Sequence, residues 1–203
     1  METFYFEVPG ESRKEDAIAY INEFYEYGSE INGSGDLHRF LEHYEDWLVK
    51  LEKDSRRIPD GNRVSSRTYF LVRGCDSHIV GLINIRLVLN ERLKEYGGHI
   101  GFGIRPTERG KGYNKINLHL GLKVCQEHGI DTVLMDADVQ NPASWRTMEA
   151  LGGRKNREFY DGKNAHCMVR DYEIDVNESL IRAACVYEPM VEPVWVNGDR
   201  DSL

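Results

Sequence analysis

Residues 98–115 place a predicted strand, a glycine-bearing turn and the start of a helix in direct succession. The first N–H groups of a helix have no partner within it, and the helix dipole adds about 0.3 to 1 kcal/mol for each favourable negative charge. Gly110 and Gly112 let a bound group approach the backbone closely because they carry no Cβ atom. The turn therefore predicts an anion site suited to a pyrophosphate, with positive charge from Arg109, Lys111 and Lys115.

Two other phosphate-binding motifs do not fit this stretch. A Walker A loop needs two glycines five residues apart followed by Lys and Ser or Thr, and Gly103 and Gly110 do not have that spacing. A Rossmann loop needs its glycines directly after a strand, whereas Gly98, Gly101 and Gly103 fall within the predicted strand. Neither nucleotide hydrolysis nor dinucleotide binding is indicated.

The same residues resemble a known family. Arg109, Gly112 and Asn114 are similar to the Arg/Gln-x-x-Gly-x-Gly/Ala signature of the GNAT acetyltransferases, although Asn stands where Gly or Ala is usual. Asn141 and Ser144, which open a helix after the next strand, resemble the downstream Asn-x-x-Ala/Ser element. The resemblance covers about residues 69–174, and residues 97–106 look most like a group of predicted acetyltransferases without an assigned substrate.

This resemblance implies acetyl-CoA as a co-substrate and a role for each matching residue. The strand before the signature would splay from its neighbour, so that its backbone pairs with the pantetheine arm and an N–H group polarises the acetyl carbonyl. The backbone amides of the turn would hold the pyrophosphate, and Asn141 and Ser144 would approach the thiol end. The implied cofactor-binding residues are Phe102, Gly103, Ile104, Arg109, Gly110, Lys111, Gly112, Tyr113, Asn114, Asn141 and Ser144.

The resemblance does not identify the groups that transfer protons. The tyrosine that often serves as the general acid in the family would fall at Met148, which cannot donate a proton. His99 is the histidine nearest in sequence to the implied acetyl site, and it is either a base or relay or a structural hydrogen-bonding residue. No histidines are spaced as metal ligands, so no metal is predicted, and Cys125 and Cys167 are interpreted as small core residues rather than nucleophiles.

Composition and charge narrow the class of protein. The chain has 203 residues, of which 40% are hydrophobic and 30% charged, as expected for one globular domain. A net charge of −8 argues against a nucleic-acid partner. No apolar run is long enough to span a membrane, no signal-peptide pattern is present, and the four cysteines form no CxxC pair. We therefore expect a cytoplasmic protein with reduced, mostly buried cysteines, and a homodimer remains open.

The periodicity of apolar residues predicts the elements that position these groups. Strands are expected at 4–8, 69–72, 78–88, 99–104, 132–139, 158–160 and 165–174. Helices are expected from a Ser12/Glu15 capping box to Gly28, from an Asp36 cap to Leu51, over 110–128, and from an Asn141 cap with Pro142 at the first position to about Gly152. Residues 54–66 and 90–98 are predicted loops, and 161–164 a hairpin turn.

This order predicts an α+β fold with a GNAT-like, mixed and mostly antiparallel central sheet, helices on both faces and a splayed coenzyme A binding strand. The acetyltransferase domain is expected over 1–175, with an extension over 176–203 that packs on the domain or on a partner. The resemblance implies an N-acetyltransferase that transfers an acetyl group to a primary amine of a small molecule or peptide by direct attack. One alternative is a catalytically silent acyl-CoA-binding regulatory module. A second is an interaction module that is held together by its tail and in which the glycine turn is structural.

Overall fold

A computed structural model describes residues 2–163 and 166–193. Part of the predicted hairpin turn (residue 164), the first residue of the predicted last strand (165) and the end of the predicted extension (194–203) lie outside the described residues. The strands are β1 (Phe4–Glu7), β2 (Ser66–Arg73), β3 (His78–Arg86), β4 (Ile100–Ile104), β5 (Thr132–Asp138), β6 (Arg154–Asp161) and β7 (Cys167–Asp175). The α-helices are α1 (Lys14–Glu26), α2 (Tyr44–Ser55), α3 (Glu91–Glu95), α4 (Tyr113–Glu127), α5 (Pro142–Ala150) and α6 (Val176–Tyr187).

The strands form two antiparallel sheets rather than one continuous sheet. The first sheet has the order β1-β2-β3-β4, and the second has the order β5-β7-β6. β4 and β5 are the facing edges of the two sheets, and α4 connects them along the chain. The predicted α+β class with a mostly antiparallel sheet is therefore confirmed, and the break between the sheets falls at the predicted splay.

Helices cover both faces of the first sheet because its strands are apolar on both sides. Phe4 and Phe6 pack with α4 on one face, whereas Tyr5 packs with α1 and α2 on the other. In β2 the same alternation sends Leu71 to the α4 side and Phe70 to the α1 and α2 side. Two separate apolar cores result, and they hold β4 between a helix on each face.

The predicted second helix is wrong in its first half. Asp36 has a left-handed backbone (φ +70°) and caps nothing, Leu37–Arg39 is a single 3-10 turn, and the helix begins only at Tyr44. The carbonyl of Gly35 accepts hydrogen bonds from Trp47 Nε1 (2.8 Å) and Lys50 Nζ (3.0 Å). Because these contacts fold the preceding loop back onto α2, the two segments cannot form one straight helix.

Three smaller predictions also differ from the structure. Ser12 lies in a 3-10 turn that leads into α1, so the expected capping box does not form. Asn90 accepts the N–H of Leu93 (3.0 Å) and caps the short helix α3 within the predicted loop 90–98. Cys75 and Cys185 are exposed rather than buried.

The chain after β7 forms a helix that packs on the domain. Asp175 caps α6 by accepting the N–H of Glu178 (2.8 Å), and the buried hydroxyl of Ser179 donates to the carbonyl of Leu151 (2.6 Å). Ala183 is buried in the core on the α4 side. Residues 176–187 therefore cover α4.

No helix among the described residues is long and apolar enough to cross a membrane.

Candidate active site

The glycine turn, residues 109–114, leaves open space in front of the N-terminus of α4. Gly110 (φ +79°) and Gly112 (φ +84°) have left-handed backbones, and an added Cβ atom at either residue would meet nothing within 4 Å. Gly112 is the N-cap of α4, and no side chain caps the helix there. The first N–H groups of α4 are thus directed toward an open space, as the binding of a pyrophosphate requires.

The basic residues around this turn have different partners. Arg109 donates from Nε to the carbonyl of Ile104 (3.1 Å) and from Nη1 to Ser29 Oγ (3.0 Å). Lys111 instead pairs with Glu108 (2.7 Å) and does not line the cavity that lies in front of the turn. The basic side chains that line the cavity are those of Arg109, Lys115 and Arg146.

β4 and β5 are joined at one point and separate beyond it. The N–H of His99 donates to the carbonyl of Leu134 (2.7 Å), and the N–H of Leu134 donates to His99 Nδ1 (3.0 Å). A Cβ atom on Gly98 (φ +53°) would lie 2.1 Å from the carbonyl oxygen of Leu134, so only glycine permits this close approach. Residues 100–102 and 135–138 line one cavity, which shows that both strands continue from this point in the same direction.

The separation leaves one edge of β4 facing a gap. The backbone N–H of Arg105 donates to the carbonyl of Val80, and Phe102 of β4 lies opposite Ile83 of β3. Because residues in an antiparallel pair alternate between bonded and non-bonded positions, Gly101 and Gly103 bond to β3. Phe102 and Ile104 therefore direct their backbone groups toward the gap, where an extended ligand can pair with them.

A cavity of about 680 Å³, here called the long cavity, connects the glycine turn with this gap. Of the residues that the sequence resemblance implies, the structure places ten along it: Phe102, Gly103, Ile104, Arg109, Gly110, Gly112, Tyr113, Asn114, Asn141 and Ser144. Lys111 is the one that it does not place there. An open helix N-terminus at one end and an unpaired strand edge at the other fit an elongated ligand with a pyrophosphate.

The far wall of the long cavity is the start of α5. Asn141 caps this helix, as the sequence predicts, by accepting the N–H of Ser144 (3.2 Å), and Pro142 occupies the first helical position. The loop before α2 forms the opposite wall, because Gly33 fits against β4 so tightly that an added Cβ atom would lie 2.5 Å from the carbonyl oxygen of Gly101. This contact brings Ser29, Glu30 and Asn32 to the site.

Sequence patterns gave no indication of these three loop residues. Their position depends on the contact of Gly33 with a strand almost 70 residues later in the chain. Arg146 was also missed, although its place in the first turns of α5 after the Asn141 cap is a local signal that could have suggested it.

The contacts of His99 are those of a structural residue. Its side chain is 9% exposed, and burial and the nearby Arg86 guanidinium lower its pKa to about 4. The neutral ring accepts at Nδ1, so its proton lies on Nε2, and neither nitrogen is poised to accept another proton near pH 7. Met148, at the position implied for the general acid, is 1% exposed and packs in the core.

Comparison with known proteins identifies the family. A family model described as an acetyltransferase (GNAT) domain matches residues 9–154, and the chain therefore belongs to the GNAT acetyltransferases. It is an acetyl-CoA dependent N-acetyltransferase whose acceptor is not assigned. No curated protein sequence matches the chain significantly.

Solved structures share the fold at low sequence identity. The spermidine/spermine N-acetyltransferase SpeG from Vibrio cholerae aligns at 14% identity with a TM-score of 0.60, covering 89% of this chain and 98% of that one. A putative GNAT-family acetyltransferase from Bordetella pertussis aligns at 14% identity with a TM-score of 0.60, covering 83% and 93%. A dodecameric form of the Vibrio enzyme aligns at 14% identity with a TM-score of 0.57, covering 90% and 98%.

Proposed function

We propose that the chain transfers the acetyl group of acetyl-CoA to the primary amine of a small-molecule or peptide acceptor by direct attack. The observation that carries this proposal is the gap between β4 and β5, into which the long cavity leads from the glycine turn. Acetyl-CoA supplies an acetyl group activated as a thioester. The residues of the chain bind it, orient it and exclude water.

The glycine turn binds the pyrophosphate in this proposal. The N–H groups at the start of α4 donate to its oxygens, while Lys115 and Arg146 add positive charge. Lys111 contributes its backbone only, because its ammonium group pairs with Glu108.

The gap orients the reacting end. Phe102 and Ile104 offer backbone groups to the pantetheine amides, and the N–H of Phe102 polarises the acetyl carbonyl. Ser144, whose side chain borders both the long cavity and the acceptor side of the gap, donates a hydrogen bond to the sulfur as the C–S bond breaks.

Calorimetric titration of acetyl-CoA into the wild type, Gly112→Glu and Gly129→Glu tests the binding step. Gly129 (φ +69°) resembles Gly112 (φ +84°) in its left-handed backbone and open surroundings, but it follows the C-terminal end of α4. The two variants therefore carry the same charge change and similar backbone strain at opposite ends of one helix. Loss of binding in Gly112→Glu alone supports the proposed site, and equal loss in both variants contradicts it.

Release of free coenzyme A thiol tests the transfer step. Spermidine is a suitable first amine because the similar Vibrio enzyme acts on it, followed by a lysine peptide and an arylamine. We expect amine-dependent release with at least one of them. Acetyl-CoA binding without release on any amine would favour the catalytically silent module. Light scattering on the same samples would show whether the chain forms a homodimer or a larger assembly, as the dodecameric neighbour does.

A further inference from the structure

A second cavity of about 310 Å³ adjoins the long cavity on the far side of the gap. The two share Glu30, Asn32, Phe102, Asn141 and Ser144, so the second cavity opens where the reacting carbonyl is proposed to lie. Its wall carries three carboxylates, those of Glu30, Asp136 and Asp138, and we call it the acidic cavity. The acidic cavity therefore offers an amine a route to the carbonyl from the side opposite the glycine turn.

We propose that Asp136 accepts the proton of the acceptor amine, an inference that rests on the function proposed above. β4 and β5 run in the same direction from the paired residues His99 and Leu134. Two residues further along each strand, Asp136 lies level with Gly101, which is one residue, or about 3.3 Å, before Phe102. Oδ2 of Asp136 accepts the N–H of Gly97 (2.5 Å), which fixes the carboxylate at the wall of the cavity. Within residues 2–163 and 166–193, Oδ1 of Asp136 makes no hydrogen bond.

The surroundings make this carboxylate more basic than an exposed one. Burial raises the pKa of Asp136, the carboxylates of Asp171 and Asp161 raise it further, and the Gly97 N–H and the Arg86 guanidinium oppose the rise. A base whose pKa is closer to neutral accepts a proton more effectively in a transition state. The titratable groups that face Asp136 from the surrounding elements are Glu30, Arg86, Tyr96, Asp138, Asp161, Cys167 and Asp171, the last paired with Arg157.

The proposed step conserves atoms and charge. The nitrogen of the neutral amine forms a bond to the acetyl carbon, the C–S bond breaks, and coenzyme A leaves as a thiolate. The nitrogen loses one proton to the carboxylate of Asp136, and the thiolate is protonated from solvent. A second proton is released beforehand if the acceptor binds as an ammonium ion, and the Asp136 carboxylate can also receive that proton and return it to solvent.

The experiment compares wild type, Asp136→Asn and Asp138→Asn in steady-state thiol release at saturating acetyl-CoA. Spermidine is one probe amine, and aniline, an arylamine that is largely uncharged at neutral pH, is the other. For Asp136→Asn we expect kcat with spermidine at pH 7 to fall on the order of 100-fold. We expect a much smaller loss with aniline, because its weakly basic nitrogen passes its proton to water once the bond to carbon has formed. The loss with spermidine should shrink as the pH rises and free amine accumulates. Asp138, whose carboxylate accepts the N–H of Gln140 (2.7 Å), should affect KM more than kcat.

A purely structural role of Asp136 in holding Gly97 would give a different result. Both amines would then lose activity equally, the loss would not depend on pH, and the affinity for acetyl-CoA would change with it. That outcome, or a larger kcat loss in Asp138→Asn, overturns the inference. Wild type that binds no acetyl-CoA, or that releases thiol with no amine of the panel proposed above, overturns the proposed function, and the inference falls with it. If the lysine peptide is acetylated and spermidine is not, the peptide replaces spermidine as the charged probe.

Discussion

Nδ1 of His99 accepts a hydrogen bond from the backbone N–H of Leu134 at 3.0 Å, so that a side chain takes the place of a backbone acceptor between two strands. The bond satisfies a donor at the last point where β4 and β5 meet. Beyond it the strands separate, and the gap between them receives the proposed thioester. The histidine therefore marks where the gap between the two strands begins.

A pair of substitutions at His99 tests this role. We expect His99→Gln to lower the free energy of unfolding by about 1 to 3 kcal/mol, because it leaves the Leu134 N–H without an acceptor. His99→Asn should lose less, because the Asn carbonyl oxygen occupies nearly the same place along the side chain as Nδ1. Urea denaturation of both variants measures the difference. If His99 were the catalytic base, the two variants would lose activity alike while their stabilities stayed similar.

The same histidine predicts a pH dependence of stability. Its pKa in the folded state is about 4, whereas an unfolded histidine titrates near 6.5, so between these values the unfolded state binds more protons. The free energy of unfolding should fall as the pH drops from about 6.5 to 4, with His99 contributing up to about 3 kcal/mol. His78 and His119 also have lowered pKa values, so the measured quantity is the difference between wild type and His99→Asn. A difference that does not change with pH contradicts the prediction.

Gly98→Ala should be far more damaging than Gly28→Ala. Both residues have similar left-handed backbones (φ +53° and +56°), and that conformation alone costs an alanine about 1 kcal/mol. A Cβ atom at 28 meets nothing within 4 Å, whereas one at 98 overlaps the carbonyl of Leu134. We expect a loss of about 1 kcal/mol at 28 and about 2 to 4 kcal/mol at 98, measured by thermal or urea unfolding. Equal losses of stability in the two variants would contradict this prediction, because β5 would then move away from the added Cβ atom at no cost in free energy.

Two substitutions of Asn114 should separate stability from acetyl-CoA binding. Its Oδ1 atom is buried and lacks a hydrogen-bond partner among the described residues, so Asn114→Ala should leave the free energy of unfolding unchanged or raise it by about 1 kcal/mol. Asn114→Asp places a negative charge in the first turn of α4, which favours the helix but repels a pyrophosphate. We therefore expect the Ala variant to keep its affinity for acetyl-CoA and the Asp variant to lose it. A clear loss of stability in the Ala variant would contradict this account.

Two positions on α6 separate packing on the domain from contact with a partner. Ala183 is 7% exposed and packs in the core, whereas Ile181 is 78% exposed. We expect Ala183→Glu to lower the free energy of unfolding by about 2 to 4 kcal/mol and Ile181→Glu to change it by less than about 0.5 kcal/mol. Light scattering of Ile181→Glu then shows whether that face contacts another copy. A stable Ala183→Glu variant would contradict the proposal that residues 176–187 are part of the domain.

Several features of the site follow from local sequence. The glycines at 110 and 112, the start of α4 and the Asn141 cap of α5 each depend on the backbone of a few neighbouring residues. Helix caps and left-handed turns are local interactions, so the sequence could predict them, and ten of the eleven residues that the resemblance implies line one cavity. Lys111 was the exception because a nearby acid, Glu108, competes for its charge.

Tertiary structure decided the rest. Strand alternation alone could not reveal that His99 bonds to Leu134, that Gly33 brings Asn32 against β4, or that Asp136 and Gly101 line the same cavity. Each of these contacts joins segments at least 35 residues apart, and the packing of two sheets against shared helices brings them together. The sequence by itself predicted the fold family through the signature at the glycine turn and the start of α5. It also predicted the proposed phosphate end of the site, because a helix N-terminus and left-handed glycines depend on short-range backbone preferences. Only the folded chain determined the proposed acceptor end, because Glu30 reaches the β5 residues Asp136 and Asp138 through the packing of its loop against β4.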